Sequence, residues 1–261
     1  MSEHSKIEWT ESTWNPTTGC TKISSGCAHC YAERMANRFP KRYPNGFSLS
    51  LRPEYLDLPL HWRQPRIVFV DSMSDLFHDQ VPDDYILKVF DIMQRTPRHT
   101  FQILTKRSGR LAQLAPRLPW PRNVWAGVTV ENDQFNTRID HLREVPAHVC
   151  FVSAEPLIGS LGSVNLAGIH WLIAGGESQR GARPAELAWF GELRDQCVSQ
   201  GVAFFLKQLG GFPNKRGRDD ALLDGRRWTE RPSGLPERHP GRAWHTTVCR
   251  RPAGTSLPRG R

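Results

Sequence analysis

The sequence lacks any long apolar run: no segment approaches the ~20 consecutive apolar residues that a membrane-spanning helix needs. We also expect no secretory leader, because residues 1–6 are polar and no apolar stretch follows them. These absences exclude an integral membrane protein and lead us to expect a cytoplasmic protein with no membrane partner. Disulfides are rare in that compartment, so we expect none among the six cysteines.

Acidic residues are in the minority: 26 Asp and Glu stand against 35 Lys and Arg, a net charge of +9. The excess is concentrated in residues 211–261, where twelve cationic side chains face five acidic ones, a net charge of +7. The basicity is therefore mainly a property of the C-terminal part. We expect an extension packed on the body at 211–235 and a disordered tail rich in Arg, Pro and Gly at 236–261.

Three cysteines lie close together, Cys20, Cys27 and Cys30 with the spacing C-x6-C-x2-C, and no fourth follows nearby. A 4Fe–4S cluster has four corners, which cysteine thiolates usually hold. Three local thiolates leave one iron open for a ligand that takes part in chemistry, so the motif indicates an enzyme. A Cys3His zinc site with a distant histidine and a set of unligated thiols are the alternatives. The other cysteines stand singly: Cys150, Cys197 and Cys249.

Along residues 1–210, short β-branched or aromatic runs alternate with segments of helical period. After an N-terminal strand before Cys20, the predicted strands are 66–70, 100–104, 124–130, 149–153, 170–174 and 202–206. The segment from residue 26 onward contains a helix-like stretch, residues 31–39, and the other predicted helices are 83–95, 108–114, 133–143 and 185–199. This rhythm predicts an α/β protein, with repeated βα units in a partial or full barrel of about six to seven parallel strands. A doubly wound sheet is the alternative.

A charged or small polar side chain follows almost every predicted strand. Because βα barrels carry their chemistry at the carboxyl ends of the strands, we expect these side chains to share one rim with the three cysteines. Each alone can equally cap the next helix, but their convergence with the cysteines favours an active site. The candidates are Asp71, Ser72, Asp75, Lys106, Arg107, Glu131, Glu155, Gly175, Gly176 and Glu177.

Further motifs accompany the cysteines along residues 6–230. They are Thr13-Trp14-Asn15-Pro16, Gly19-Cys20, Gly26-Cys27, Cys30-Tyr31-Ala32, Ser72-Met73-Ser74-Asp75-Leu76-Phe77-His78, Leu104-Thr105-Lys106-Arg107, Gly127-Val128-Thr129-Val130-Glu131, Ser153-Ala154-Glu155-Pro156-Leu157, Gly175-Gly176-Glu177-Ser178, Ala182-Arg183-Pro184 and Phe205-Leu206-Lys207-Gln208. A three-cysteine loop before a (βα) barrel resembles the radical S-adenosylmethionine enzymes, whose usual spacing is C-x3-C-x2-C. More narrowly, the chain resembles an uncharacterised phage-associated family, the phage gene-product 37/68 family.

The resemblance implies a cofactor pair, a 4Fe–4S cluster and S-adenosylmethionine. The open iron holds the methionine amino and carboxylate groups, and an electron from an external donor cleaves the molecule to methionine and a 5′-deoxyadenosyl radical, which abstracts hydrogen from the substrate. By strand position, the resemblance implies that Asp71, Ser72 and Asp75 contact the amino group and Lys106 or Arg107 the carboxylate. It further implies that Glu131 contacts the ribose hydroxyls and that Gly175 and Gly176 allow close approach of adenine or ribose.

The substrate is less well defined than the cofactors. The Arg-rich tail, the phage association and a faint similarity to the spore photoproduct lyase group, which repairs DNA, indicate a nucleic acid or nucleotide, with a protein or peptide next. If the tail supplies the affinity, binding should depend steeply on salt and should vanish when residues 236–261 are deleted. Trp9 and His78, which lie near the motifs, are rim residues or ordinary packing residues.

The alternative function belongs to a different class: a zinc-stabilised, non-catalytic protein that binds nucleic acid through its basic tail. It uses the same cysteines, and metal analysis separates the two hypotheses because zinc is not reduced by dithionite. The sequence opposes this alternative, since rim carboxylates repel phosphate. Those carboxylates belong to Asp75, Glu131, Glu155 and Glu177.

Overall fold

The computed structural model describes Ser5 and residues 7–232, so the predicted tail at 236–261 lies outside the described residues. The strands are β1 (Ser12–Trp14), β2 (Thr17–Thr18), β3 (Ser50–Leu51), β4 (Ile67–Val70), β5 (Thr100–Thr105), β6 (Val124–Thr129), β7 (Cys150–Ala154), β8 (Trp171–Gly175), β9 (Ala203–Gln208), β10 (Leu222–Leu223) and β11 (Arg226–Arg227). The helices are α1 (Tyr31–Arg38), α2 (Leu58–His61), α3 (Asp83–Arg95), α4 (Ser108–Leu114), α5 (Thr137–Arg143) and α6 (Leu187–Gln200). Within that part of the chain, no helix combines the length and apolarity needed to cross a membrane.

Seven strands form one parallel sheet in the order β1-β4-β5-β6-β7-β8-β9. Each strand pairs with the next large strand along the chain, so the strand order never reverses. A doubly wound sheet requires such a reversal, so that alternative is wrong. The predicted partial barrel of about six to seven parallel strands is confirmed. Two short antiparallel pairs, β2 with β3 and β10 with β11, lie outside the main sheet.

The helix-like stretch predicted at 31–39 forms α1, which begins at Tyr31. Before it, Ser25–Cys27 form a single 3-10 turn. Cys30 separates the two with an extended backbone, φ −69° and ψ 121°, so the chain changes direction there. The cysteines consequently lie in a loop ahead of α1 and not on a helix.

The two faces of the sheet carry different side chains because alternate residues of a strand point to opposite faces. In β4, Val68 and Val70 pack in the large core between the sheet and the helices. Phe69 points to the other face, which we call the inner face, into an aromatic cluster near the amino ends of the strands. Its buried aromatic members are Trp9, Phe69, Trp125, Phe151, Trp171 and Phe205. Polar side chains occupy the carboxyl ends.

Trp9 is a packing residue of this cluster. Its ring lies 4.8 Å from that of Phe69, and it is 2% exposed. The Arg231 guanidinium lies 5.7 Å from the ring centres of both Trp171 and Phe205 and donates to the Glu8 carbonyl at 2.9 Å. The N-terminal segment and the last described residues therefore meet at the amino end of the sheet, far from the predicted rim.

Substitution of Gly127 tests the packing of the inner face. A Cβ on Gly127 would lie 2.5 Å from Cε2 of the Phe151 ring, which is fully buried and has no room to move. We expect Gly127→Ala to destabilise the fold by about 1–3 kcal/mol, the usual cost of overpacking. Urea unfolding measures the change.

The matched control is Gly191→Ala in α6, where an added Cβ meets no atom within 4 Å. Alanine loses less backbone entropy than glycine in a helix, so this variant should be stabilised by about 0.5–1 kcal/mol. Equal effects of the two substitutions would contradict the packing described for Gly127.

Candidate functional site

The three cysteines lie in one loop, residues 19–30, which follows β2 over the carboxyl end of the parallel sheet. We call it the cysteine loop. Its start is fixed by backbone hydrogen bonds: the Gly19 N–H donates to the Met73 carbonyl and the Cys20 N–H to the Phe47 carbonyl, each at 3.0 Å. Gly19 has a φ of +80°, and a Cβ there would overlap a neighbouring backbone carbonyl. Glycine is therefore required, and Cys20 is held beside the segment that follows β4.

Glu131, just after β6, anchors the middle of the cysteine loop. Its side chain is fully buried, and one carboxylate oxygen accepts a hydrogen bond from the Ser24 hydroxyl, with an O···O distance of 2.6 Å. Arg138 donates to the other oxygen at 2.8 Å, and the Lys106 ammonium lies 3.7 Å from the first. A Cβ on Gly26 would lie 2.5 Å from the same carboxylate. The loop thus packs directly on the buried Glu131 carboxylate, whose charge is balanced by Arg138 and Lys106.

Asp75, after β4, is linked to Cys20 through Arg107. Its carboxylate accepts from the Thr105 hydroxyl at 2.7 Å, from Arg107 Nη1 at 3.2 Å and from two backbone N–H groups. Arg107 Nη1 also donates to Cys20 Sγ at 3.4 Å, and Nη2 donates to Thr21 Oγ1 at 2.8 Å. Asp75 therefore orients the guanidinium, and the guanidinium holds the sulfur and its neighbour.

His78 is a buried residue that contacts the cysteine loop at Thr21. Its Nδ1 accepts the Gln80 N–H at 3.2 Å, which assigns the ring proton to Nε2, 3.0 Å from Thr21 Oγ1. Burial, together with the charge of Arg107, lowers the pKa of the imidazole. The neutral ring and Arg107 both donate to the Thr21 hydroxyl oxygen, so His78 fixes the loop.

Glu177, after β8, anchors the far end of the cysteine loop. Its carboxylate lies 3.0 Å from His29 Nδ1 and accepts from the Arg183 backbone N–H at 2.9 Å and from the Arg183 guanidinium. Burial favours the neutral acid, but the hydrogen bonds from Arg183 and His29 outweigh it and lower the pKa of Glu177 to about 2. Arg183 Nη2 also donates to the Ser25 carbonyl at 3.0 Å, and Gln179 donates to the His29 carbonyl.

Glu155, after β7, pairs with Lys207 of β9 at 2.8 Å. Gly175 and Gly176 were predicted to leave room for a ligand. In the structure, other parts of the protein lie close to both of them. A Cβ on Gly175 would lie 2.8 Å from Glu155 Oε1, and a Cβ on Gly176 would overlap the Leu209 carbonyl. Because glycine has no side chain, the Glu155 carboxylate can lie against Gly175 and the Leu209 backbone against Gly176.

Asp71 occupies an unusual position at the end of β4. Its backbone is left-handed, with φ +55°, and its side chain is buried. Oδ1 accepts the Thr17 N–H at 2.9 Å, while Oδ2 has no partner among the described residues. Burial, reinforced by the charge of Asp75, raises the pKa of Asp71 to about 8. The neighbouring Ser72 hydroxyl donates to Asn15 Oδ1 at 3.1 Å.

The thiols of the cysteine loop differ in acidity. Burial, with the nearby charge of Asp75, raises the pKa of Cys20 to about 11. Burial also disfavours the Cys27 thiolate, but a hydrogen bond from the backbone at Ile23 and the Lys106 ammonium lower the pKa of Cys27 below its ordinary value. Cys27 therefore ionises more readily than Cys20 to the thiolate, which is the form that binds metals.

The structure gathers Cys20, Arg107, Glu131 and Glu177 around one loop, while Asp71 lies apart, against β2. Sequence reasoning assigned no part of this site to four residues that hold the loop or its anchors: Ser24, His29, Arg138 and Arg183. Arg183 stood in a recognised motif and Arg138 lies seven residues after Glu131, but neither pattern specifies a partner. In residues 5 and 7–232 no three His, Cys, Asp or Glu side chains are arranged to hold a metal ion.

A family described as protein of unknown function (DUF5131) matches residues 4–232, which is most of the chain. The chain belongs to the DUF5131 family. Comparison with curated proteins and with solved structures gave no match. The matched region of this DUF5131 protein includes the whole sheet, the cysteine loop and every anchor described above.

Asp71→Asn tests the buried carboxyl. Below pH 3.8 the carboxyl is protonated in both the folded and the unfolded chain; above it the unfolded chain ionises first, because the folded pKa is about 8. Asp71 therefore destabilises the fold increasingly as pH rises through this window. Near pH 8 the asparagine variant should have a higher Tm than the wild type. The difference in Tm should shrink as the pH falls toward 3.8.

Asparagine tolerates a left-handed backbone as aspartate does, so the substitution isolates the charge. Asp91→Asn is the control, since Asp91 is exposed on α3 and its loss should shift Tm little at any pH. A Tm difference for Asp71→Asn that does not change with pH would contradict the raised pKa.

Alkylation of the native thiols tests the acidity order. The thiolate is the reacting species, so iodoacetamide at about pH 8 should modify Cys27 before Cys20. Burial raises the pKa of both Cys150 and Cys197, and they should react last. Mass spectrometry of tryptic peptides measures the order. Lys106→Met should slow the reaction at Cys27 and leave Cys150 unchanged; faster labelling of Cys20 than of Cys27 would contradict the description.

Proposed function

We propose that this DUF5131 protein is a radical S-adenosylmethionine enzyme whose cysteine loop holds a 4Fe–4S cluster through Cys20, Cys27 and Cys30. The observation that carries the proposal is the position of that loop. Three half-buried thiols lie on one short segment over the carboxyl end of a parallel partial barrel, where βα enzymes place their chemistry. The resemblance of the cysteine motif to that superfamily supports the same proposal, as does the resemblance to the phage gene-product family.

The donors of the site suit such a cluster. Four-iron clusters take thiolates at separate corners, and the loop supplies three soft ligands with no further cysteine beside them. Cys20 Sγ contacts Arg107 and the Thr21 carbonyl, each at 3.4 Å, and Cys27 Sγ contacts the Ser24 hydroxyl at 3.6 Å. Contacts of this length are readily exchanged for metal bonds. Positive charge from Arg107 and Lys106 favours the thiolate forms.

When bound, a cluster with one open iron supplies the electron that cleaves S-adenosylmethionine, with an external protein as the donor. The chain's own groups hold and tune the site. Arg107 donates a hydrogen bond toward Cys20 Sγ, and hydrogen bonds to ligand sulfurs raise or lower cluster potentials. Glu131 and Glu177 keep the loop in place through Ser24 and His29. Such fixed positioning is the protein's contribution to catalysis of this type.

We assign the binding of S-adenosylmethionine to the same rim. The proposed contacts are Asp71, Ser72, Asp75, Lys106, Arg107, Glu131, Glu155, Gly175, Gly176 and Glu177. Several of these groups already bind one another, so ligand entry exchanges existing pairs, such as Glu155 with Lys207, for contacts with the ligand. We also propose a cytoplasmic location, because an exposed reducing centre requires a reducing compartment.

Anaerobic reconstitution tests the proposal. Incubation with iron and sulfide should give a brown protein with a broad visible absorbance, and dithionite with S-adenosylmethionine should then release 5′-deoxyadenosine, measured by chromatography. Cys27→Ala should lose both. Cys150→Ala should keep both, because Cys150 is buried beneath the helices and faces the core.

Two outcomes would overturn the assignment. One is a full cluster bound by Cys27→Ala. The other is purified protein that holds stoichiometric zinc and no iron, which would favour the zinc-stabilised binding protein. The assay requires no knowledge of the substrate, because S-adenosylmethionine is the only organic ligand added.

A further inference from the structure

The exposed side of α1, directly after the cysteine loop, carries an apolar stripe. Ala32 and Ala36 are buried and seat the helix on the body. On the adjoining side, Tyr31, Met35 and Phe39 follow one another at helical spacing and are 46%, 40% and 43% exposed. Large apolar side chains in contiguous exposed positions indicate a binding surface.

Cations flank this stripe with little opposing charge. The exposed side chains are Arg34, Arg38, Lys41 and Arg42, and none of them forms an ion pair within the described chain. Residues 31–47 contain one acidic side chain, Glu33, which is paired with Lys22 at 2.8 Å. The guanidinium carbon of Arg38 lies 5.5 Å from the centre of the Phe39 ring. We call these cations and the apolar stripe the α1 surface.

We propose that the α1 surface binds a single-stranded nucleic acid and presents it to the cysteine loop. This inference rests on the proposed function and names the substrate class for that site. Guanidinium and ammonium groups pair with backbone phosphates, while exposed rings and planar guanidinium groups stack on bases that are not held in a duplex. The surface places both kinds of group side by side.

Tyr31 connects this surface to the rim. Its hydroxyl donates to the Ser72 carbonyl, at the carboxyl end of β4, while its ring stays exposed. The ring is thus fixed at one end and available for stacking on its face. It immediately follows Cys30, so a base stacked there lies next to the proposed cluster site.

The rim carboxylates alone would repel phosphate, but cationic side chains of the protein balance their charge. Asp75 pairs with Arg107, and Glu131 with Arg138 and Lys106. The other two carboxylates, those of Glu155 and Glu177, pair with Lys207 and Arg183. Each of the four negative charges has a cationic partner, so the α1 surface contributes uncompensated positive charge beside a nearly neutral rim.

A membrane is the other partner that basic amphipathic helices bind. Such helices keep a wide apolar face separate from the charged face and insert it between lipids. Here α1 has only eight residues, and its side at Ala32 and Ala36 is buried on the protein, so no wide apolar face is left free to enter a bilayer. The arrangement favours stacking with bases over insertion into lipid.

The experiment compares two double variants of the full chain, prepared without the cluster. R34Q/R38Q removes two charges from the α1 surface, and K88Q/R95Q removes two equally exposed charges from α3. Glutamine has nearly the helix propensity of the residues replaced. Fluorescence anisotropy measures binding of a labelled single strand of about 12 nucleotides, a typical site size.

We expect the wild type and K88Q/R95Q to bind alike. R34Q/R38Q should lower the slope of log K against log salt by about 1.4, because each phosphate contact on a single strand contributes about 0.7. Phe39→Ala should weaken binding by roughly 5- to 100-fold through lost stacking. A strand that contains 4-thiouridine should crosslink to peptides from residues 31–43.

Three results would overturn the inference. They are equal weakening by the α1 and α3 variants, crosslinks confined to residues 233–261, and binding of anionic vesicles but not of single strands. After reconstitution with iron and sulfide, release of 5′-deoxyadenosine without substrate should be unchanged in R34Q/R38Q. If the wild type releases 5′-deoxyadenosine but does not bind single strands, this inference alone is contradicted; if it binds single strands but does not release 5′-deoxyadenosine, the proposed enzyme alone is contradicted.

Discussion

The buried carboxylate of Glu131 fixes the cysteine loop over the sheet, and the arrangement of the site depends on it. A buried charge is tolerated only where it is paired and hydrogen-bonded. Arg138 and Lys106 supply the opposite charge, and the Ser24 hydroxyl supplies the hydrogen bond from the loop. Breaking a buried pair costs about 3–5 kcal/mol, which is a large part of the stability of a typical domain. The loop is therefore held by an interaction that the fold itself requires.

The same arrangement recurs along the rim. Glu177 joins His29 to Arg183, and Asp75 orients Arg107 toward Cys20. In each case a carboxylate that follows a strand binds a cationic side chain, and the pair holds part of the cysteine loop. The parallel sheet makes this possible because the carboxyl ends of all seven strands lie at one end of the molecule. The carboxylates at this end act mainly as anchors of the cysteine loop.

Much of the fold was predictable from local patterns. Strands such as Val124–Thr129 are buried along their whole length, so they show as short apolar runs, and polar groups follow them at the rim. The helix-like stretch predicted at 31–39 also matches α1, Tyr31–Arg38. The anchors were not predictable: Ser24 and Glu131 are 107 positions apart, and local sequence does not specify such partners.

The last described residues cover an edge that a shorter chain would expose. Residues 228–230 add a short antiparallel stretch to β9, with the Leu206 N–H donating to the Trp228 carbonyl at 2.8 Å. A chain ending at residue 210, the limit predicted for the barrel, would leave that edge without its backbone partner and uncover the rings of Trp171 and Phe205. An unpaired edge beside aromatic side chains is a template for pairing with other chains. Residues 228–230 therefore close an edge of the sheet that would otherwise be open to such pairing.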